Sequence, residues 1–151
     1  MQFWGERQPL MQEDAFERHA QRGSPFTEYQ GSGSFCVRDE HSRPIGHLQY
    51  EGGDSPDRRV QIGVFIGEQD ARDQGYGTEA DIILLNWLFN HRNMHRVWLT
   101  VQADNHRAIR VYEKIGFVRE GTYREHSFYD GGWNDEHLYG ILASEFNARY
   151  R

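Results

Sequence analysis

A chain of 151 residues is long enough to bury a real core and short for two, so one globular unit is expected. Its formal net charge of −6 argues against nonspecific nucleic-acid binding, which relies on many Lys and Arg contacts to phosphate. The 14% aromatic content sets it apart from disordered chains, and a single cysteine, Cys36, excludes an intrachain disulfide.

The opening "MQFWGERQPLMQEDAF" lacks both the basic start and the apolar run of a signal peptide, and no stretch approaches the roughly 18 apolar residues of a membrane helix. A cytoplasmic protein with no membrane partner is expected. Residues 9–21, "PLMQEDAFERHAQ", read as a helix, with Pro9 at its start, Leu10, Met11 and Phe16 as its apolar residues, and Gly23 past its end. "GSFCVRDE" and "PIGHLQYEGG" are short β-forming runs around the polar turn His41-Ser42-Arg43, and predict a hairpin. Cys36 is expected there as a small buried hydrophobe. "RVQIGVFIG", residues 59–67, predicts a third strand.

Residues 78–90, "TEADIILLNWLFN", place Ala80, Ile83, Leu84, Trp87 and Leu88 at helical spacing with further apolar residues beside them, so a largely buried helix is predicted. "HRVWLTVQ" reads as a strand. "NHRAIRVYEKIG" reads as a helix with Asn105 as N-cap and Gly116 just past its end. Two strands joined around Asp130-Gly131-Gly132 complete the order. The pattern is a mixed sheet with helices packed on it, without repeat, linker or zinc-spaced Cys/His cluster, and no metal is expected.

The stretch "ARDQGYGTEA", residues 71–80, fits two phosphate-binding schemes. From Gly75 it satisfies G-x-G-x-x-G/A, the dinucleotide fingerprint. That scheme needs its first glycine at a strand tip, whereas about eight residues separate the strand from Gly75. The segment after Asp104 is also too short for a second βαβαβ half. A P-loop is excluded because no Gly-Lys-Ser/Thr follows. From Arg72 the same residues read R-x-x-G-x-G, in which successive backbone N–H groups and a helix N-terminus at Thr78 make an anion cradle. Gly75 and Gly77 let the backbone approach phosphate closely, and Arg72 can add a charged fork.

Arg72-x-x-Gly75-x-Gly77-Thr78, followed by "NHRAIRVYEKIGF", resembles the two motifs of the GNAT superfamily of acetyl-CoA-dependent N-acetyltransferases. The likeness covers nearly the whole chain from about Gly33. It is closest to the branch of diamine and spermidine N-acetyltransferases and ribosomal-protein N-terminal acetyltransferases. The resemblance implies a single acetyltransferase domain over residues 1–151, an α+β (mixed α/β) fold with a mostly antiparallel twisted sheet flanked by helices, and acetyl-CoA as cosubstrate. It implies that the backbone of Val64, Phe65 and Ile66 pairs with the pantetheine arm. Arg72, Asp73, Gln74, Gly75, Tyr76, Gly77 and Thr78 would hold the pyrophosphate, with Asn105, Tyr112 and Lys114 along the cofactor's other side.

Acetyl transfer to an amine needs a neutral amine, a polarised thioester and a proton for the departing thiolate. Tyr112 suits the last role, since a phenol of pKa about 10 stays protonated at neutral pH. Ala108, Ile109, Tyr112 and Ile115 share one helix face directed at the sheet. Where many family members carry a glutamate on the strand before the loop, this chain has Gln61, which cannot take a proton. Glu51, His47 and His126 are the alternatives that could act through water. The resemblance also implies a missing first strand, since the chain opens directly at "MQFWGERQP". The sheet edge left by it would favour pairing with a second copy. Phe3 and Trp4 then either line an acceptor pocket or pack on the first helix. The expected partner is a small-molecule amine or a peptide N-terminus, the acidic Asp130, Asp135 and Glu136 favouring a cationic one. A noncatalytic acyl-CoA sensor on the same fold is the alternative that Gln61 keeps open.

Overall fold

The computed structural model describes residues 31–151. The helix expected at residues 9–21, and Phe3 and Trp4 with it, lie outside the described residues. The expected hairpin forms from β1 (Gly33–Arg38) and β2 (Pro44–Glu51), antiparallel with Phe35 opposite Leu48. Its turn is held by Asp39, whose Oδ1 accepts from the backbone N–H groups of His41 and Arg43, each at 2.9 Å. Strand alternation buries Phe35 and Val37, and therefore turns Cys36 outward. The cysteine is exposed, contrary to the expectation from its residue type.

β3 (Arg59–Ile66) pairs antiparallel with β2. Its other neighbour is β4 (Arg96–Gln102), and these two are parallel, as a crossover through an intervening helix requires. That helix, α1 (Tyr76–Asn90), starts two residues before the apolar stripe suggested. The stripe is buried as expected: Ala80, Ile83, Leu84, Trp87 and Leu88 are each at most 6% exposed. Leu85 and Phe89 are buried too, so α1 is apolar nearly all round. Full burial of each large side chain contributes about 1.5–3 kcal/mol. Trp87 meets Phe35 and Tyr50 edge-on, at 5.7 and 5.4 Å between ring centres, which ties the helix to the first hairpin.

After β4 come α2 (His106–Ile115), β5 (Val118–Tyr129) and β6 (Gly132–Leu142). The six-stranded sheet has the order β1-β2-β3-β4-β6-β5, so β6 inserts between β4 and β5, antiparallel to both. β5 is an edge strand, exposed over most of its length and broken by bulges between Arg119 and Gly121 and between Tyr123 and Ser127. A helix that the sequence pattern did not suggest follows, α3 (Ala143–Tyr150). Its start is capped by Glu145, whose Oε2 accepts from the Leu142 N–H at 2.9 Å. Phe146 docks on Phe89 of α1, and Arg149 and Tyr150 donate to the carbonyls of Lys114 and Ile115. α3 thereby satisfies two of the orphan carbonyls at the end of α2.

Among the described residues no helix is long and apolar enough to cross a membrane.

Candidate active site

The parallel ladder joins Arg59 to Arg96, Val60 to Val97 and Gln61 to Trp98, and there it ends. Beyond that point β3 follows β2 as far as Ile66, while β4 follows β6 as far as Gln102. The gap between them is a cleft of about 420 Å³ lined by Ile62, Gly63, Val64 and Ile66 from β3 and Thr100, Val101 and Gln102 from β4. The loop before α1 and the first turns of α1 close one end, and α2 closes another side.

The glycine stretch lies at the mouth of this cleft. Gly75 is the N-cap of α1 at φ 88°, a left-handed conformation that favours glycine. A Cβ added at Gly77 would meet only a side-chain carbon of Ile66, at 3.6 Å, so the space in front of the first helical turn is open. The N–H groups of a first helical turn have no partner within the helix, and the helix dipole adds positive potential there. The loop is braced from behind. Arg72 donates from Nε to the Ile66 carbonyl at 3.2 Å and from Nη2 to the Gly67 carbonyl at 3.1 Å. Arg43 pairs with Asp70 at 2.9 Å, and the Tyr76 hydroxyl donates to Glu40. The guanidinium of Arg72 is thus a loop fastener in this state, in addition to being a cation at the cleft.

On the facing side, Asn105 caps α2, its Oδ1 accepting from the Ala108 N–H at 3.2 Å. Arg107, in the first turn of α2, pairs with Asp73 at 2.9 Å across the cleft mouth. Tyr112 is 8% exposed, lines the cleft and packs edge-on against Phe117 at 5.7 Å. Burial, reinforced by the charge of Asp81, pushes its phenol well above the ordinary range. It therefore keeps its proton throughout the working pH range.

Asp81 was not foreseen as a site residue. It is completely buried one turn into α1, lines the cleft, and neither carboxyl oxygen has a hydrogen-bond partner. Burial pushes its pKa up to about 8. Arg107 was also missed; the sequence shows a cation just after a helix N-cap, and only the structure brings it to Asp73 of the glycine loop.

Of the residues singled out from the sequence, the cleft gathers Val64, Ile66, Arg72, Asp73, Gly75, Tyr76, Gly77, Thr78, Asn105 and Tyr112. It does not include Phe65, which is exposed and leans on His47 at 5.6 Å. Gln74 and Lys114 are exposed outside its lining. Gln61 sits in the closed seam opposite Trp98, and Glu51 faces Gln61 in the β2–β3 ladder. His126 lies exposed in the second bulge of β5, its ring tilted against that of Tyr123 at 4.9 Å between centres. None of these three lines the cleft. Trp4 is outside the described residues. No group of three or more His, Cys, Asp or Glu that could hold a metal occurs among the described residues.

A family model of the acetyltransferase (GNAT) domain matches residues 1–118. The chain belongs to this family. It is 33% identical over 114 residues to the uncharacterized N-acetyltransferase YnaD of Bacillus subtilis, covering 74% of this chain and 64% of that one. It is 29% identical over 117 residues to the spermidine N(1)-acetyltransferase of Vibrio cholerae, covering 76% of this chain and 66% of that one. The chain thus spans just under two thirds of the length of these relatives. Among solved structures, a dodecameric spermidine N-acetyltransferase from Vibrio cholerae superposes with a TM-score of 0.75 at 23% identity, over 91% of this chain and 76% of that chain. The mixed, mostly antiparallel sheet and its flanking helices are the GNAT fold.

Proposed function

We propose that the protein is an N-acetyltransferase that moves an acetyl group from acetyl-CoA to the primary amine of a small molecule, such as a polyamine, or of a peptide N-terminus. One observation carries this reading: an open glycine cradle at the N-terminus of α1 leads into a gap between two strands, with the hydroxyl-bearing Tyr112 on its wall. The backbone N–H groups of Gly75, Tyr76, Gly77 and Thr78 would hold a pyrophosphate, with Arg72 and Arg107 at its sides. The backbone of residues 62–66, paired with β2 on one side only, offers its free edge to an extended arm. Acetyl-CoA, when bound, supplies a thioester activated toward amines.

Tyr112 holds a proton at its hydroxyl for the sulfur side of the reaction. The apolar wall of Ile62, Val64, Ile66 and Val111 excludes water. Gln61, in the seam, takes no proton, so the acceptor amine delivers its own to solvent. Asp130, Asp135 and Glu136 stand on the β5–β6 hairpin, and Asp135 also accepts the Glu125 N–H at 2.8 Å, which fixes a bulge there. Their negative field favours a cationic acceptor.

Incubation with acetyl-CoA and a panel of amines, following free thiol release, tests the activity. A polyamine is expected to outrun neutral and acidic acceptors, with a kcat/KM that declines as salt rises. No thiol release with any amine, despite acetyl-CoA binding, would leave the noncatalytic sensor. Calorimetry is expected to give tight binding of acetyl-CoA and no comparable binding of NAD or ATP. Gly77→Val is expected to weaken acetyl-CoA at least about tenfold, roughly 1.4 kcal/mol, with the unfolding midpoint unchanged. The added branches fill the cradle and meet little of the protein itself. Unaltered affinity in that variant would remove the loop from the site.

A further inference from the structure

We propose that Asp81 is a ligand-facing residue of the cleft which works as a neutral carboxylic acid, donating its O–H to a carbonyl oxygen on the acylated pantetheine arm, so that its ionisation weakens binding. This rests on the acyl-CoA reading above.

Asp81 has no solvent exposure, and both of its oxygens lack a hydrogen-bond partner. Such an orphan costs about 1–3 kcal/mol, and native proteins seldom tolerate one without a partner from outside the chain. Its neighbours along α1, Ala80, Ile83, Leu84 and Leu85, are buried apolar residues, so an apolar side chain would serve packing better. Asp81 is one of the residues around the cleft, with Thr100, Val101 and Tyr112, and the cleft is the route by which a partner reaches it.

The cations nearby are committed elsewhere. Arg72 bonds the carbonyls of Ile66 and Gly67, and Arg107 pairs with Asp73. With no counter-charge, burial holds the carboxyl protonated, and the group then presents one donor and one acceptor. Asp81 lies six residues past Gly75, roughly 9 Å along the helix axis. That is too far to touch phosphates at the cradle and suits the neutral middle of a ligand whose reacting end meets Tyr112.

The titratable or charged groups around it are few. Arg72 and Asp73 stand on the loop, Tyr76 and Glu79 on its own helix, and Arg107 and Tyr112 on α2, while β3 and β4 present none to the cleft. No His, Lys or Cys is among the described lining residues. Asp81 is therefore the group there that titrates in mildly alkaline solution.

Calorimetric titration of the whole chain with acetyl-CoA, from about pH 7 to about pH 9.5, tests the proposal. Acetyl-CoA has no free thiol to titrate in this window. Wild-type affinity is expected to fall toward about tenfold per pH unit above the Asp81 transition. Asp81→Asn, which keeps a donor and loses the ionisation, is expected to bind with a flat profile. Asp81→Leu is expected to be flat as well and weaker than wild type at neutral pH. Adenosine 3′,5′-bisphosphate, which lacks the arm, is expected to show little pH dependence with the wild type.

A flat wild-type profile overturns the proposal, as does a fall that persists in Asp81→Asn or one that is equally steep for the bisphosphate. The wild-type comparison of the two ligands decides the matter even where a variant does not fold. A wild type that binds no acetyl-CoA at neutral pH sinks the acyl-CoA reading itself, whereas binding without pH dependence sinks only the role of Asp81.

Discussion

Tyr112→Phe is expected to lower kcat by about 10²–10⁴-fold while acetyl-CoA affinity stays within a factor of about two. The ring is held by Phe117 and by the helix face it shares with Ile115, so the phenylalanine keeps the packing and loses only the hydroxyl. That hydroxyl stays protonated because burial opposes its ionisation, an effect to which the Asp81 charge adds once that carboxyl ionises. On the proposed reading its effect is made where negative charge develops on the departing sulfur, and is expected in turnover and not in ground-state binding. Steady-state rates set beside calorimetric affinity separate the two. A wild-type rate in the variant would make Tyr112 an ordinary core tyrosine, and a parallel loss of affinity would make it a binding residue.

The other large effect concerns stability. Asp81→Leu is expected to raise the thermal midpoint by about 3–10 °C near pH 4, before the ionisation difference between folded and unfolded chains builds up, from removal of an unpartnered buried carboxyl at about 1–3 kcal/mol. The dependence on pH has a definite sign. The folded chain keeps the Asp81 proton up to about pH 8, whereas the unfolded chain releases it near the ordinary value for Asp. Between these two values the folded state binds more protons, so this group makes stability fall as pH rises, and above the folded pKa the loss is complete. The advantage of the variant over wild type should widen from about pH 4 to about pH 8 and then stay constant. The carboxylates Asp39, Glu40 and Glu120 are held below their ordinary values and act with the opposite sign, but they cancel in the difference between two chains that share them. A midpoint gap that does not change with pH would show that Asp81 is already ionised, or already partnered, in the folded protein.

The strands and the two longer helices were legible in the sequence because each carries a strong period. Phe35 and Val37 alternate with polar neighbours, α1 repeats its apolar residues every three or four positions, and Asn105 and Gly116 bracket α2. Cys36 misled because residue type was weighed above its place in the alternation. α3 escaped because its eight residues offer one fully buried side chain, Phe146, among Ser, Glu, Asn and Arg. Its better signal was Glu145 placed to bond back to the start of the helix.

The cradle was legible because backbone geometry has a glycine signature, but Asp81 was not. A helix that is apolar on every side leaves no exposed face for a carboxylate, and this follows only once the neighbours of α1 are known. The acceptor candidates Glu51, Gln61 and His126 lie outside the cleft lining, and the sequence does not say how far a residue stands from a gap that opens only where two strands part.

That parting has a mechanical meaning. The triplet β1, β2 and β3 and the triplet β4, β6 and β5 meet along a seam of three residue pairs, like two boards on a short hinge. Past Gln61 and Trp98 no ladder bond joins the boards, so a small change in the angle between them stretches no backbone hydrogen bond. The width of the opening is then a soft coordinate, and the space it leaves is set by the side chains that line it. Val64, Ile66 and Val111 are such side chains, each only partly buried. Trimming or enlarging one of them is expected to re-size the cleft while both triplets stay intact, a change of the space on offer that leaves the sheet as it is.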